Sequence, residues 1–213
     1  MISSDKDSKI SQSKDEIYDV IDIPESIRAD FEKWKSFLEE NIKFWLKDSE
    51  KHTKEHCIRV LLFSLLIAEK RNLSQEDKNV LCMASVFHDS RRQDDWYDVG
   101  HGQRAADYYK QYCKESKLPF DWRCYDVMYY HDRDDEMGKQ EMGRRGTERE
   151  NGILLYQIFK DADALDRFRL GPDGLDVCYL RTEEAKSLYD YAKNLWEQYF
   201  SEGTLKGGGA CAS

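Results

Sequence analysis

The sequence predicts an all-α protein, a single compact helical bundle, on three observations. Between polar ends, apolar residues recur with the 3.6-residue period of helices, and strand alternation is nearly absent. The chain holds only three prolines and no internal repeat. Its 213 residues, 40% of them hydrophobic, suffice for one sizeable core and are too few for two full domains.

The elements follow in order. Residues 1–23 are polar and rich in Ser, Lys and Asp, the composition of a flexible arm. The folded domain spans 24–202. Pro24 precedes an amphipathic pattern made by Phe31, Trp34, Phe37, Leu38, Ile42 and Trp45. Residues 52–71 contain "EHCIRVLLFSLLIAEKR", apolar on nearly every side, which marks a helix buried at the bundle centre. In "LSQED", Ser74 is a good N-cap and Asp77 lies in the first turn of a helix running to about His88. A further helix covers 101–116 and ends before Pro119, and a shorter one covers 121–131. The charged, glycine-punctuated stretch "DRDDEMGKQEMGRRGTERE" reads as a long exposed loop over 132–150. A helix of 148–169 is stopped by "GPDG", and a last one covers 182–201. Residues 203–213, with a glycine run, form a flexible tail.

Composition narrows the function. A net charge of -9 argues against a nucleic-acid backbone as the main partner, because such partners usually meet a basic face. It leaves room for an anionic small molecule, since a bound metal inverts the local field. None of the six cysteines (Cys57, Cys82, Cys113, Cys124, Cys178 and Cys211) forms a C-x-x-C pair, and most sit among apolar residues. They read as reduced, buried thiols rather than a zinc site. The N-terminus has no signal-type apolar region, and the longest apolar run, about Val60 to Ala68, is far below a membrane span. The expected location is the cytoplasm.

Five histidines are available for chemistry: His52, His56, His88, His101 and His131. "SVFHDSRRQDD" closes an apolar helix with His88 and Asp89. A carboxylate there faces the negative end of the helix dipole and asks for a positive partner. Arg91 and Arg92 are one answer. A divalent cation, which would also employ His88, is another. In "KDADALDRFRL", Asp163 and Asp166 are one turn apart on one face, so they repel unless paired or coordinating. Lys160, Arg167 and Arg169 offer surface pairing, yet acids inside a core helix pattern are unusual and need partners. Gly102 either brings a backbone close beside His101 or merely eases helix entry.

The order His56, His88-Asp89, Asp163 resembles the H…HD…D pattern of the HD-domain phosphohydrolase superfamily, and "KDADALDRFRLG" is similar to the final Asp motif of several bacterial subgroups. The likeness covers about 50–185. It implies an all-α fold around one or two divalent ions, of Mn, Fe, Mg, Zn, Ni or Co. His56, His88, Asp89 and Asp163 would hold the first ion. His101 and His131, placed as in subgroups with two further histidines, would hold a second with Asp89 bridging. His52 would be exposed.

Those subgroups often carry a lysine where this chain has Arg92. Arg91 or Arg92 would bind phosphate, the rigid fork of arginine suiting bidentate contact. Asp89 and Asp166 would be the catalytic carboxylates. Asp166 would either orient a ligand or act as a base, with an ion pair to Arg169 or Arg92 as the plain alternative. Gln103 and Arg104 are possible substrate contacts. Arg144, Arg145 and Arg149 are either a lid or solvated surface, and Trp96 and Tyr97 either stack on a base or cover the bundle.

The implied activity is hydrolysis of a phosphomonoester or phosphodiester of a nucleotide or other small phosphorylated molecule. Its nucleophile would be a metal-activated hydroxide, available because metal lowers the pKa of bound water toward ~7. A di-iron oxygenase using the same ligands and a non-catalytic nucleotide-binding module are the alternatives.

Overall fold

A computed structural model of the chain describes residues 21–47, 49, 53–146 and 151–204, with side chains to 198. Among these residues there are nine α-helices, two 3-10 turns and no strand, so the protein is all-α. None of the described helices is long and apolar enough to cross a membrane. The expected arm before residue 21, the tail after 204, His52 and Arg149 lie outside the described residues.

Helix α1 (Glu25–Asn41) follows Pro24 at the N-cap, where a missing N–H costs nothing. It buries Ile27, Phe31, Trp34 and Leu38. The helix ends before Trp45, which is exposed rather than part of the apolar face. The backbone N–H of Trp45 donates to Ser90 O at 3.1 Å, lashing this segment to the turn after the HD doublet.

Helix α2 (Lys54–Lys70) is capped by Thr53 and is the central helix, burying residues from His56 to Ala68 on all sides against α1 and the helices that follow. Helix α3 (Gln75–Phe87) is capped by Ser74 through Asp77 N at 3.2 Å, and His88 is its C-cap. Helix α4 (His101–Glu115) starts after Gly100, whose φ of +99° favours glycine. Helix α5 (Trp122–Tyr130) is capped by Asp121 and ends at His131.

The predicted loop over 132–150 is largely a helix, α6 (Asp135–Arg145). Its weak apolar stripe hides it from a periodicity search, because tertiary contacts rather than a hydrophobic face hold it. Asp134 caps Glu136 N, and Asp135 pairs with Lys160 and Arg181. Gly138 sits where a Cβ would fall 2.6 Å from the Tyr156 ring, and Gly146 ends the helix at φ +80°. Of the three glycines in this stretch, Gly138 thus serves close packing and Gly146 termination, while a Cβ at Gly143 would meet nothing within 4 Å.

Helix α7 (Gly152–Leu165) begins later than expected and tightens into a 3-10 turn over Asp166–Leu170. The predicted last helix is split into α8 (Glu183–Lys186) and α9 (Tyr189–Thr204). Asp161 causes part of this irregularity. Its buried carboxylate accepts from Thr182 N and Thr182 Oγ1, both at 2.8 Å, and from Arg181 N, so α7 anchors the start of α8. Cys57, Cys82 and Cys124 are buried free thiols as expected, whereas Cys113 is partly exposed and Cys178 is exposed.

Candidate metal centre

Five elements deliver one side chain or more to a common point beside α2. His56 comes from the first turn of α2, His88 and Asp89 from the end of α3, and His101 from the first residue of α4. His131 comes from the end of α5, and Asp163 from the last turn of α7. Three helix C-termini and two N-termini therefore meet here. Their dipoles partly oppose one another, so the carboxylates dominate the field.

Three of the histidines use one device to aim their rings. His88 Nδ1 donates to Ser85 O at 2.9 Å, His101 Nδ1 to Asp98 O at 2.7 Å and His131 Nδ1 to Met128 O at 2.7 Å. In each case the acceptor is the carbonyl three residues earlier. A carbonyl can only accept, so the proton sits on Nδ1 and the Nε2 lone pair points inward. His56 achieves the same through Asp166, whose Oδ2 is 2.7 Å from Nδ1. Phe159 packs edge-on against the rings of His88 and His131 and closes one wall.

The inward atoms form two trios, His56–His88–Asp163 and Asp89–His101–His131, each tight enough to hold one metal ion. Within the first, Nε2 of His56 and Nε2 of His88 are 3.2 Å apart, and Asp163 Oδ1 is 3.3 Å from His56. Within the second, the Nε2 atoms of His101 and His131 are 2.8 Å apart. Asp89 faces both. Its Oδ2 lies 3.5 Å from His56 Nε2 and 3.9 Å from His88 Nε2, and its Oδ1 lies 3.1 Å from His101 and 3.8 Å from His131.

Two imidazole lone pairs at such range repel unless a cation lies between them. Burial holds the His88 pKa down to about 3, so this ring meets the site as a neutral donor near neutrality. Ligand nitrogens about 2 Å from a shared ion would stand about 3 Å apart, as these do. The residues present thus fit divalent metal.

Five of the six groups are nearly inaccessible, while the Asp163 side chain is 34% exposed and marks the open edge. Desolvation opposes ionisation of Asp163, but His56, His88 and Arg169 outweigh it and hold the carboxyl well below the usual range. For His56, burial and Arg169 act downward, yet Asp163 and Asp166 leave it raised.

The other candidates separate. Arg92 is at the centre, with Nη1 3.8 Å from Asp89 Oδ1 and 3.3 Å from His101 Nε2. Arg91 is turned away. It donates to Lys43 O and Ser90 O, and its guanidinium lies 3.3 Å from the Tyr108 ring centroid and 5.4 Å from that of Trp45, a packing role in place of phosphate contact. Arg104 is likewise structural, donating to Arg91 O at 3.0 Å and Asp98 Oδ1 at 2.5 Å. Gln103, two residues beyond His101, is exposed on another side of α4. Asp166 stands behind His56, bound by Arg59 at 2.5 and 3.1 Å with Arg169 at 3.6 Å. Its carboxylate is engaged by His56 Nδ1 and Arg59, the placement of a group that would orient the His56 ring. Arg144 and Arg145 pair with Glu141 and Asp126 instead of reaching over the site. Trp96 and Tyr97 are 79% and 97% exposed and do not cover the bundle.

Three residues escaped sequence reasoning. Arg59 is the one cation in the apolar run of α2, one turn after His56, and that signal was readable. Asp132, beside His131, accepts from Gly100 N at 2.5 Å and Gly102 N at 3.4 Å and so ties α4 to α5. Asp98 receives Gln93 N and Arg104, a loop contact without a sequence signature.

Gly102 proves to be a point of close approach. A Cβ there would fall 2.5 Å from Met128 O and 2.9 Å from His131 Nδ1. Because the nearest atom is backbone, Gly102→Ala must push α4 from α5. It is expected to cost about 1–3 kcal/mol and to abolish binding at the second trio while the first keeps its ion. Elemental analysis at saturating Mn²⁺ and thermal unfolding check this. A variant that still binds two ions would contradict it.

The bundle and its histidine–carboxylate centre define an all-α, metal-binding type of domain. The family model described as HD domain matches residues 53–167, more than half of the chain, and the chain belongs to that family. No curated protein and no solved structure matches it.

Proposed function

We propose that this protein is a metal-dependent phosphohydrolase cleaving a phosphomonoester or phosphodiester of a small molecule, with a nucleotide as the favoured substrate. The observation that carries this reading is Asp89, whose two carboxylate oxygens face separate histidine pairs, so that it would help hold an ion at each trio. When bound, such ions polarise phosphoryl oxygens and make a water nucleophile accessible near neutral pH.

The protein's own groups supply the rest. Nη1 of Arg92, with Nε and Nη2 held by the Asp94 and Trp96 carbonyls, lies beside Asp89, where it would donate to a phosphoryl oxygen and neutralise charge developing there. Asp166 and the three main-chain carbonyls keep the four rings in one tautomer and one orientation, so no reorganisation is needed during reaction. Phe159 keeps water from the inner wall, and substrate enters at the Asp163 edge. Trp96 and Tyr97 lie on the loop that Arg92 holds through Trp96 O, and they offer aromatic faces to a base.

The test is a panel of nucleotides, sugar phosphates and generic phosphodiesters with Mn²⁺, Mg²⁺, Zn²⁺, Ni²⁺, Co²⁺ or Fe²⁺, with elemental analysis of the purified protein. Metal-stimulated release of phosphate or of a monoester supports the reading. Tightly held iron with dioxygen consumption and no phosphate release would replace it with an oxygenase. Nucleotide binding without turnover would replace it with a binding module.

A further inference from the structure

A carboxylate stands behind one imidazole in each trio. Asp166 backs His56 in the first, and Asp132 has the corresponding place behind His101 in the second. The Asp132 side chain is 5% exposed, and the residue follows the ligand His131 in the chain. Its Oδ2 accepts from Gly100 N at 2.5 Å and Gly102 N at 3.4 Å, the main-chain groups on either side of His101, and lies 3.5 Å from His101 Nδ1. These N–H groups belong to the start of α4, where the helix dipole favours a negative charge. Fastening them does not account for the whole group. Oδ1 is buried and accepts no hydrogen bond among the described residues, and Arg133 Nε, likewise without a hydrogen-bond partner there, is 3.8 Å away. A neutral asparagine oxygen would fasten the same N–H groups without the cost of burying a half-used charge. Local cost of this kind marks function.

We propose that Asp132 is a positioning residue for the Asp89–His101–His131 trio. Through the two N–H groups it fixes the first turn of α4, and with it the place from which the His101 ring projects. Through its charge it fixes the ring tautomer. The Nδ1 proton of His101 goes to Asp98 O at 2.7 Å, and the Asp132 carboxylate is a second oxygen beside it. Moving that proton to Nε2 would set the Nδ1 lone pair against both oxygens. It would also cover the nitrogen that faces His131 Nε2 at 2.8 Å. Arg92 Nη1 is 3.4 Å from Nδ1 and 3.3 Å from Nε2, so it favours neither tautomer. Asp132 thus keeps Nε2 of His101 open to an ion. This inference rests on the metal-site reading above, and the ring is read without metal so that the two can fail separately.

The experiment joins two measurements on the full chain. One is ¹⁵N NMR of the histidine rings without metal, at mildly alkaline pH where an imidazole is neutral. The other is an equilibrium titration with Mn²⁺, with bound ions counted directly. His101 of wild type should be a single Nδ1–H tautomer. In Asp132→Ala it should become a mixture of tautomers, and one of the two ions should bind about 10–100-fold more weakly while the other changes little. Asp163→Ala, which disables the first trio, assigns the loss: adding Asp132→Ala to it should weaken the ion that remains. Asp132→Asn can still accept from Gly100 N, so it guards against a misfolded alanine variant. It should lose about tenfold at the second ion and show a minor Nε2–H population. Circular dichroism confirms that each variant is folded. A wild-type His101 protonated on Nε2 would overturn this inference. So would an Asp132→Asn chain with wild-type ring signals and metal affinity, or equal weakening of both ions in Asp132→Ala. A wild-type chain that holds the Nδ1–H tautomer but binds no metal would overturn the metal-site reading, and the ring signals would still decide what Asp132 does.

Discussion

Asp89→Ala is expected to abolish turnover and to release metal from both trios. Its two oxygens lie 3.1–3.9 Å from all four Nε2 atoms, so one substitution removes a carboxylate that faces both sites. Loss of an outer partner of a metal ligand typically lowers affinity 10–100-fold. Loss of a residue that faces both ions should cost more than about 100-fold at each. Metal-dependent stabilisation should disappear with it, because an ion that binds only the folded state raises Tm by mass action. Elemental analysis, thermal melts with and without Mn²⁺, and turnover assays read this out together. An alanine variant with wild-type metal content would refute the shared-carboxylate arrangement.

Asp166→Ala should have the second-largest effect, and on two properties at once. The carboxylate fixes His56 through Nδ1 and accepts two hydrogen bonds from Arg59 in α2. Its removal frees the His56 tautomer, for an expected 10–100-fold fall in affinity at the first trio. It also takes the bidentate partner from a largely buried guanidinium, which costs about 3 kcal/mol. Asp166→Asn, which can still accept from His56, should recover part of the metal affinity but little of the stability. Equal metal affinity in the alanine and asparagine variants would show that Asp166 does not act through the ring.

The pH dependence follows with a definite sign. Burial raises the Asp166 carboxyl, but Arg59 and His56 outweigh it and bring it to about 2, against an ordinary value of 3.8. The stability it contributes is therefore fully present above about pH 4 and is lost as pH falls through 2. Urea unfolding of the metal-free protein should show this acid-dependent loss in wild type and less of it in Asp166→Ala.

Much of the centre was legible because its chemistry is carried by rare residue types at revealing places. Histidine is scarce in this chain, and an HD doublet that ends an apolar helix, or an Asp inside the "DADALD" pattern, conflicts with the surrounding core. Such conflict between local pattern and residue type marks function. Arginine roles were not legible in the same way. Arg91 and Arg92 are neighbours of one chemical type, yet one stacks on Tyr108 and the other faces Asp89. Consecutive residues point in different directions, and the turn over 88–91 that decides which faces inward has no periodic signature.

The sequence by itself determined the helical class, the central place of the helix that carries His56, and the ligand types, because helical period and residue chemistry are local properties. Only the tertiary structure decided that α6 is a helix, that Asp166 stands behind the His56 ring, and that Asp89 turns one oxygen to each histidine pair. Those outcomes depend on which helix ends meet in space. That is settled by packing among segments more than a hundred residues apart, such as His56 and Asp166, which no local pattern records.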